Sequence, residues 1–259
     1  MNKVFSLGIP HLSELIFDSI DTPGLFKCLE VSQTWKVLAL NVLLKRWKGK
    51  MFKACKNGET KVVQLLLEHC SSEESGLNIE DNKGWTPMMI ACKNGHKDVV
   101  QLLLDYSVER NIDLNAKSSK LSAITASMAA CFKGHKDVVK LLLDNSAEKN
   151  IDFNARTNEG GTAFMSACCY GHTDVVRLLL YNSSNIDFNA RCNEGRNAFM
   201  WACANGQKDV IKLLFEHSNT KGIDVSTDEL FNLSKEIAIF ILTCSVMTNV
   251  MRRHGLALQ

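Results

Sequence analysis

Proline is scarce in this chain, 3 in 259 residues, and neither sign of charge dominates. Thirty basic side chains against 28 acidic ones leave a formal charge of +2. Residues 1–50, with seven basic and four acidic side chains, hold a balance of +3, which leaves −1 for the rest. Neither part has the strong positive field of a dedicated nucleic-acid binder. Long apolar runs are missing too. The most apolar stretch, 237–250, is interrupted by Thr243, Cys244, Ser245, Thr248 and Asn249. It falls short of the roughly 20 residues that span a hydrocarbon core, so it reads as buried helix and no membrane contact is expected. Met1-Asn2-Lys3-Val4 does not open a signal peptide.

Catalytic and metal signatures are equally thin. No Walker loop or dinucleotide fingerprint occurs. His11, His69, His217 and His254 have no spaced Cys, Asp or Glu partners that suggest a metal site or a triad. The ten cysteines include no Cys-x-x-Cys pair, and Cys168-Cys169 lacks zinc-site spacing. No catalytic residue, metal or cofactor is therefore expected. The thiols read as small buried groups of a protein kept in a reducing, intracellular compartment, cytoplasmic or nuclear. Lys45-Arg46-Trp47-Lys48-Gly49-Lys50 reads as a solvated helix end and linker rather than a nucleic-acid patch.

What the chain does contain is a repeat. Asn94-Gly95-His96-Lys97-Asp98-Val99-Val100 returns as Lys133-Gly134-His135-Lys136-Asp137-Val138-Val139 and as Tyr170-Gly171-His172-Thr173-Asp174-Val175-Val176. Asn205-Gly206-Gln207-Lys208-Asp209-Val210-Ile211 and the earlier Asn57-Gly58-Glu59-Thr60-Lys61-Val62-Val63 complete five copies, with glycine steps of 37, 39, 37 and 35 residues. Thr86-Pro87 reads as a helix start, since threonine caps and proline fits the first turn. Gly95 reads as a left-handed helix stop. A second helix follows, burying Val99, Val100, Leu102, Leu103 and Leu104, while Ala91 and Cys92 let the helix pair approach closely. Turn-rich segments such as 154–160 suit a projecting hairpin.

These residues closely resemble the ankyrin repeat. The best match is Gly84-Trp85-Thr86-Pro87-Met88-Met89-Ile90-Ala91-Cys92-Lys93-Asn94-Gly95-His96, and the resemblance covers about residues 51–218. The motif's histidine is Met89, Met128, Met165 and Met200 in four copies, and its second alanine is cysteine throughout. The third copy, Asn115 to Thr125, has two extra hairpin residues and no glycine. The surplus over the usual 33-residue period falls after each second helix, where insertions cost little. The resemblance implies an all-α solenoid with short β-hairpin loops over residues 51–222, then a degenerate repeat and helical cap over 223–259.

Residues 1–50 do not follow the repeat and suggest three short helices. Ile9-Pro10-x-Leu12-x-x-Leu15-Ile16-Phe17 is followed by Leu25 and, six residues on, by Val31-Ser32-x-x-Trp35. This is similar to the F-box, although the glutamate usual after the opening Leu-Pro is missing near His11. The resemblance implies docking on the Skp-type adaptor of a cullin ubiquitin ligase. Ile9, Pro10, Leu12, Leu15, Ile16, Leu25, Val31 and Ser32 are its contact candidates, with Trp35 either a contact or internal packing. The alternative is a helical cap that only seals the stack, leaving a plain ankyrin interaction scaffold.

In an ankyrin stack the hairpins and first helices line a concave face. The variable positions of the motif put Ile90 and Lys93, Phe132 and Lys133, Tyr170, and Trp201 on it, with Trp85 and Arg196 beside them. The aromatics are of the type enriched in binding hot spots, and the lysines favour an acidic protein partner.

Overall fold

The computed structural model describes residues 51–69, 77–120, 122–182 and 185–226, with Gly24 and Ile239 as isolated positions. The expected three helices of residues 1–50 and most of the expected cap beyond 226 lie outside the described residues. Five helix pairs follow one another: α1 (Met51–Asn57) with α2 (Thr60–His69), α3 (Pro87–Asn94) with α4 (Lys97–Asp105), and α5 (Ala126–Lys133) with α6 (Lys136–Asp144). After the short α7 (Ser146–Lys149) come α8 (Ala163–Cys169) with α9 (Thr173–Asn182), and α10 (Ala198–Ala204) with α11 (Lys208–Lys221).

Four of the first helices, α3, α5, α8 and α10, start on a capping oxygen. The side chains of Thr86, Thr125 and Thr162 accept from the amides of Met89, Met128 and Met165 at 3.3 Å, and Asn197 accepts from Met200 N–H at 2.9 Å. Each cap is worth about 1 kcal/mol. In α3 the motif's missing histidine has a substitute: Met89 Sδ accepts from Thr86 N–H at 3.5 Å. Gly95 ends α3 in the left-handed conformation, at φ 76°. The second helices are amphipathic. In α4, Val99, Val100, Leu103 and Leu104 are buried at i, i+1, i+4 and i+5, and Leu102 is only half-buried.

The first helices form an inner row in the order α1, α3, α5, α8, α10, and the second helices an outer row, α2, α4, α6, α9, α11. Inner helices approach because their central residues are small: Ala54-Cys55, Ala91-Cys92, Ala130-Cys131, Ala167-Cys168 and Ala202-Cys203 are all essentially inaccessible. Burial pushes the Cys55 and Cys131 thiols up to about 12, and raises Cys92 and Cys168 as well. These thiols pack as small apolar groups.

Two polar ladders stitch the units together. His96, His135 and His172 each place Nε2 within 2.8–3.0 Å of a carbonyl of the preceding unit, at Lys56, Lys93 and Phe132. A carbonyl only accepts, so Nε2 carries the hydrogen. Gln207 replaces histidine in the last pair and donates to Cys169 O at 3.2 Å. Along another edge, Asn78, Asn115, Asn154 and Asn189 each donate Nδ2 to a carbonyl about one unit ahead, at Asn111, Asn150, Asn185 and Gly222. Each also accepts on Oδ1 from the nearby Asp113, Asp152, Asp187 or Asp224 amide.

The finger loops hold no strand among the described residues. Each is closed by a backbone hydrogen bond across its base: Asp81 N–H to Trp85 O, Ser118 N–H to Ile124 O, Thr157 N–H to Gly161 O, and Cys192 N–H to Arg196 O. The irregular third finger keeps this closure. Its Ala123, in the place of Gly84, Gly160 and Gly195, adopts φ 57°, the left-handed region that disfavours a side chain.

Candidate functional site

A groove of about 740 Å³ runs between the inner helices and the finger loops. Its floor includes Met128, Ala129, Met165 and Cys169 from α5 and α8. One wall is aromatic, from Trp85 through Phe132 and Tyr170 to Trp201, and the other is made by finger residues such as Ser122, Asn158, Glu159, Asn193 and Glu194. Phe132 and Tyr170 belong to neighbouring units and meet edge-on, their centroids 4.4 Å apart. Both are exposed, at 39% and 52%.

Cations lie on three of these rings. Lys93 Nζ stands 4.5 Å from the Trp85 centroid, Lys133 Nζ 5.1 Å from Phe132, and the Arg196 guanidinium 5.0 Å from Trp201. Such contacts contribute about 0.5–1 kcal/mol at exposed sites. Arg196 also faces Glu194 at 3.6 Å. On the finger wall, a hydrogen bond from the Ser122 hydroxyl holds the Glu159 carboxyl below the usual range, so it stays ionised at neutral pH.

Of the sequence-expected contact residues, Lys93, Phe132, Tyr170, Trp85 and Trp201 come together along the groove, with Lys133 and Arg196 on its rings. Ile90 is a correction. It is 7% exposed and packs into the core, because α3 is covered by α1 on one side and α5 on the other. Trp85 is also largely buried, at 6%, with Lys93 over its ring. The expected adaptor contacts Ile9, Pro10, Leu12, Leu15, Ile16, Leu25, Val31, Ser32 and Trp35 lie outside the described residues. Sequence reasoning passed over the polar finger tips and the two floor methionines. Their signals were the residues before the finger glycines Gly160 and Gly195, and the replacement of the motif's histidine by methionine.

Among the described residues, no three His, Cys, Asp or Glu side chains converge as a metal site, and no helix is long and apolar enough to cross a membrane. A family model described as ankyrin repeats, three copies, matches residues 42–118, 108–192 and 127–228. These overlapping matches cover well over half of the chain, which belongs to the ankyrin-repeat family. No curated protein matches the chain. Ankyrin arrays are in general non-enzymatic, and this one is a protein-interaction scaffold.

Proposed function

We propose that the chain recruits a protein substrate to a Skp–cullin type ubiquitin ligase, with residues 1–50 docking the Skp-type adaptor and the array holding the substrate. The recruiting half rests on one observation: Phe132 and Tyr170 stand exposed side by side in a groove, flanked by cations. Large aromatics left in water at the centre of a concavity are the usual anchors of protein interfaces. The docking half rests on the F-box-like pattern, in which Leu25, Val31 and Trp35 keep that family's spacing behind Ile9-Pro10. Apolar residues repeating along short helices suit a helix-on-helix interface, where a few desolvated side chains supply most of the affinity.

The test is binding of a purified Skp-type adaptor to the full chain. Leu25→Asp with Val31→Asp puts two charges into the proposed apolar contact and should abolish capture, while the circular dichroism of the array stays unchanged. Adaptor capture that survives both charges refutes the docking assignment and leaves a scaffold without a ligase.

A further inference from the structure

Asparagine is followed by glycine at three places, and all three occupy the same place in the repeat. Asn57-Gly58, Asn94-Gly95 and Asn205-Gly206 end the inner helices α1, α3 and α10, with each glycine left-handed at φ 73°, 76° and 69°. Such a junction is open to a reaction within the chain. Glycine has no side chain to hinder its peptide nitrogen, and its backbone bends freely enough for that nitrogen to reach the asparagine side-chain carbonyl.

All three asparagines are exposed, so access of water does not separate them. What separates them is the anchor of the side-chain amide. Asn94 donates Nδ2 to the Lys56 carbonyl of the preceding unit at 3.0 Å. Asn205 donates to the Trp201 carbonyl one turn back at 2.9 Å, with Cys169 Sγ of the preceding unit at 3.5 Å. Both amides are held on groups that the packed array fixes. Asn57 makes its one hydrogen bond among the described residues to the Glu59 carboxylate, two residues on, at 2.8 Å. A carboxylate at the end of a flexible side chain follows the amide as it swings and does not hold it in place.

We infer that Asn57 is a self-modification site of the folded chain, converting to aspartate and isoaspartate while Asn94 and Asn205 are protected. Gly58 N attacks Asn57 Cγ and gives its proton to water. The side-chain nitrogen takes a proton and leaves as ammonia, and a five-membered succinimide closes. Water then opens the ring at either carbonyl. The net change is amide plus water to carboxylate plus ammonium, so no cofactor or oxidant takes part. Opening at the main-chain carbonyl leaves the chain running through the former side chain, one methylene longer.

That methylene falls at the joint between the first two units. The Lys56 carbonyl, one residue before, takes both Asn94 Nδ2 and His96 Nε2 at 3.0 Å. Gly58, one residue after, faces the His96 ring so closely that a methyl there would lie 2.6 Å from Nδ1. A longer chain between them shifts one contact against the other, and the new carboxylate stands with Glu59 at the negative end of α1. Conversion therefore loosens the first unit from the second. This site is independent of the ligase reading and goes beyond it.

The test is incubation of the full chain in mildly alkaline buffer, with peptide mass spectrometry of the three junctions over time and chromatographic separation of isoaspartate from aspartate. Asn57 should convert about three- to tenfold faster than Asn94 and Asn205, the weight of one fixed hydrogen bond. In urea, where the anchors are gone, the three rates should draw together. Asn94 or Asn205 converting as fast as Asn57 in the folded chain overturns the inference. So does a ranking that survives unfolding, because it would then come from neighbouring residues and not from the fold. Hydrogen exchange should show α1 and α2 opening faster in chains enriched in isoaspartate than in unconverted chains, and faster than in Asn57→Asp, which has the charge without the extra methylene. Equal exchange in all three overturns the loosening of the joint.

Discussion

The histidine ladder makes a quantitative claim about glycine. Gly95 and Gly222 both end helices in the left-handed conformation, at φ 76° and φ 61°. A methyl added at Gly222 meets nothing within 4 Å, whereas at Gly95 it lies 2.6 Å from Nδ1 and 2.8 Å from Cε1 of His135. The two substitutions share the backbone effect. A left-handed alanine costs about 1–2 kcal/mol, offset by up to about 1 kcal/mol from the stiffer unfolded chain. Gly222→Ala should therefore destabilise by about 1 kcal/mol.

Gly95→Ala must also push the His135 ring aside, breaking its 2.8 Å bond to the Lys93 carbonyl. Losing that bond and stranding a part-buried carbonyl adds about 1–3 kcal/mol, for a total of about 2–4 kcal/mol. Urea unfolding of both variants gives the comparison. The cycle is closed by His135→Ala and the double variant: removing the ring removes the clash, so the double variant should cost at least about 1 kcal/mol less than the sum of the singles. Equal costs for Gly95→Ala and Gly222→Ala, or strict additivity in the cycle, would refute the claim that the glycine exists to admit the neighbour's imidazole.

Two further outcomes follow from the same geometry. Ala123→Gly relieves the left-handed alanine of the third finger and should stabilise by about 0.5–1 kcal/mol after the entropy of the unfolded chain is subtracted; a lowered melting temperature contradicts this. Cys55 and Cys131 titrate at about 12 in the folded chain because burial disfavours the thiolate. A raised folded pKa means their stabilisation is fully present below the unfolded thiol's pKa, near 8.5, and is lost as pH rises towards 12. Between about pH 8 and pH 10.5 each thiol should account for about 2–3 kcal/mol of lost stability. Replacing both by alanine should flatten the alkaline decline in denaturant midpoint, and an unchanged slope argues that these thiols are not buried in the folded state.

The repeat was legible because packing imposes it. Threonine before each inner helix, glycine after it, paired small residues within it and paired valines beyond it each answer a local demand that recurs in every unit, so five copies reinforce one another. The histidines were read as inter-unit hydrogen-bonding residues, and their rings reach the preceding unit's carbonyls. The asparagine ladder was not read, although Asn115, Asn154 and Asn189 stand at matching places. Its bonds join residues 31 to 37 apart, and nothing in the local sequence says that both ends of an amide will be satisfied by the next loop. Ile90 was misplaced for a related reason. Motif variability does not distinguish an inner-helix position open to the groove from one covered by neighbouring helices. Ala123 shows the opposite case, where the loss of the glycine kept the left-handed backbone at that place although the finger is two residues longer.

Stability and specificity are thereby assigned to different sides of the same short helices. In α5, Ala130 and Cys131 are inaccessible and fasten the unit to its neighbours, while the next residue, Phe132, lines the groove with Lys133 over its ring. Contacts in a stacked array are made only between adjacent units, so a change at Phe132 or Lys133 disturbs one ring contact and one cation, not the ladders or the core. The groove residues differ from unit to unit: Lys93, Phe132 with Lys133, Tyr170, Trp201. The residues fastening the units scarcely vary. A periodic frame thus carries an aperiodic face, each unit contributing its own side chains at a fixed step.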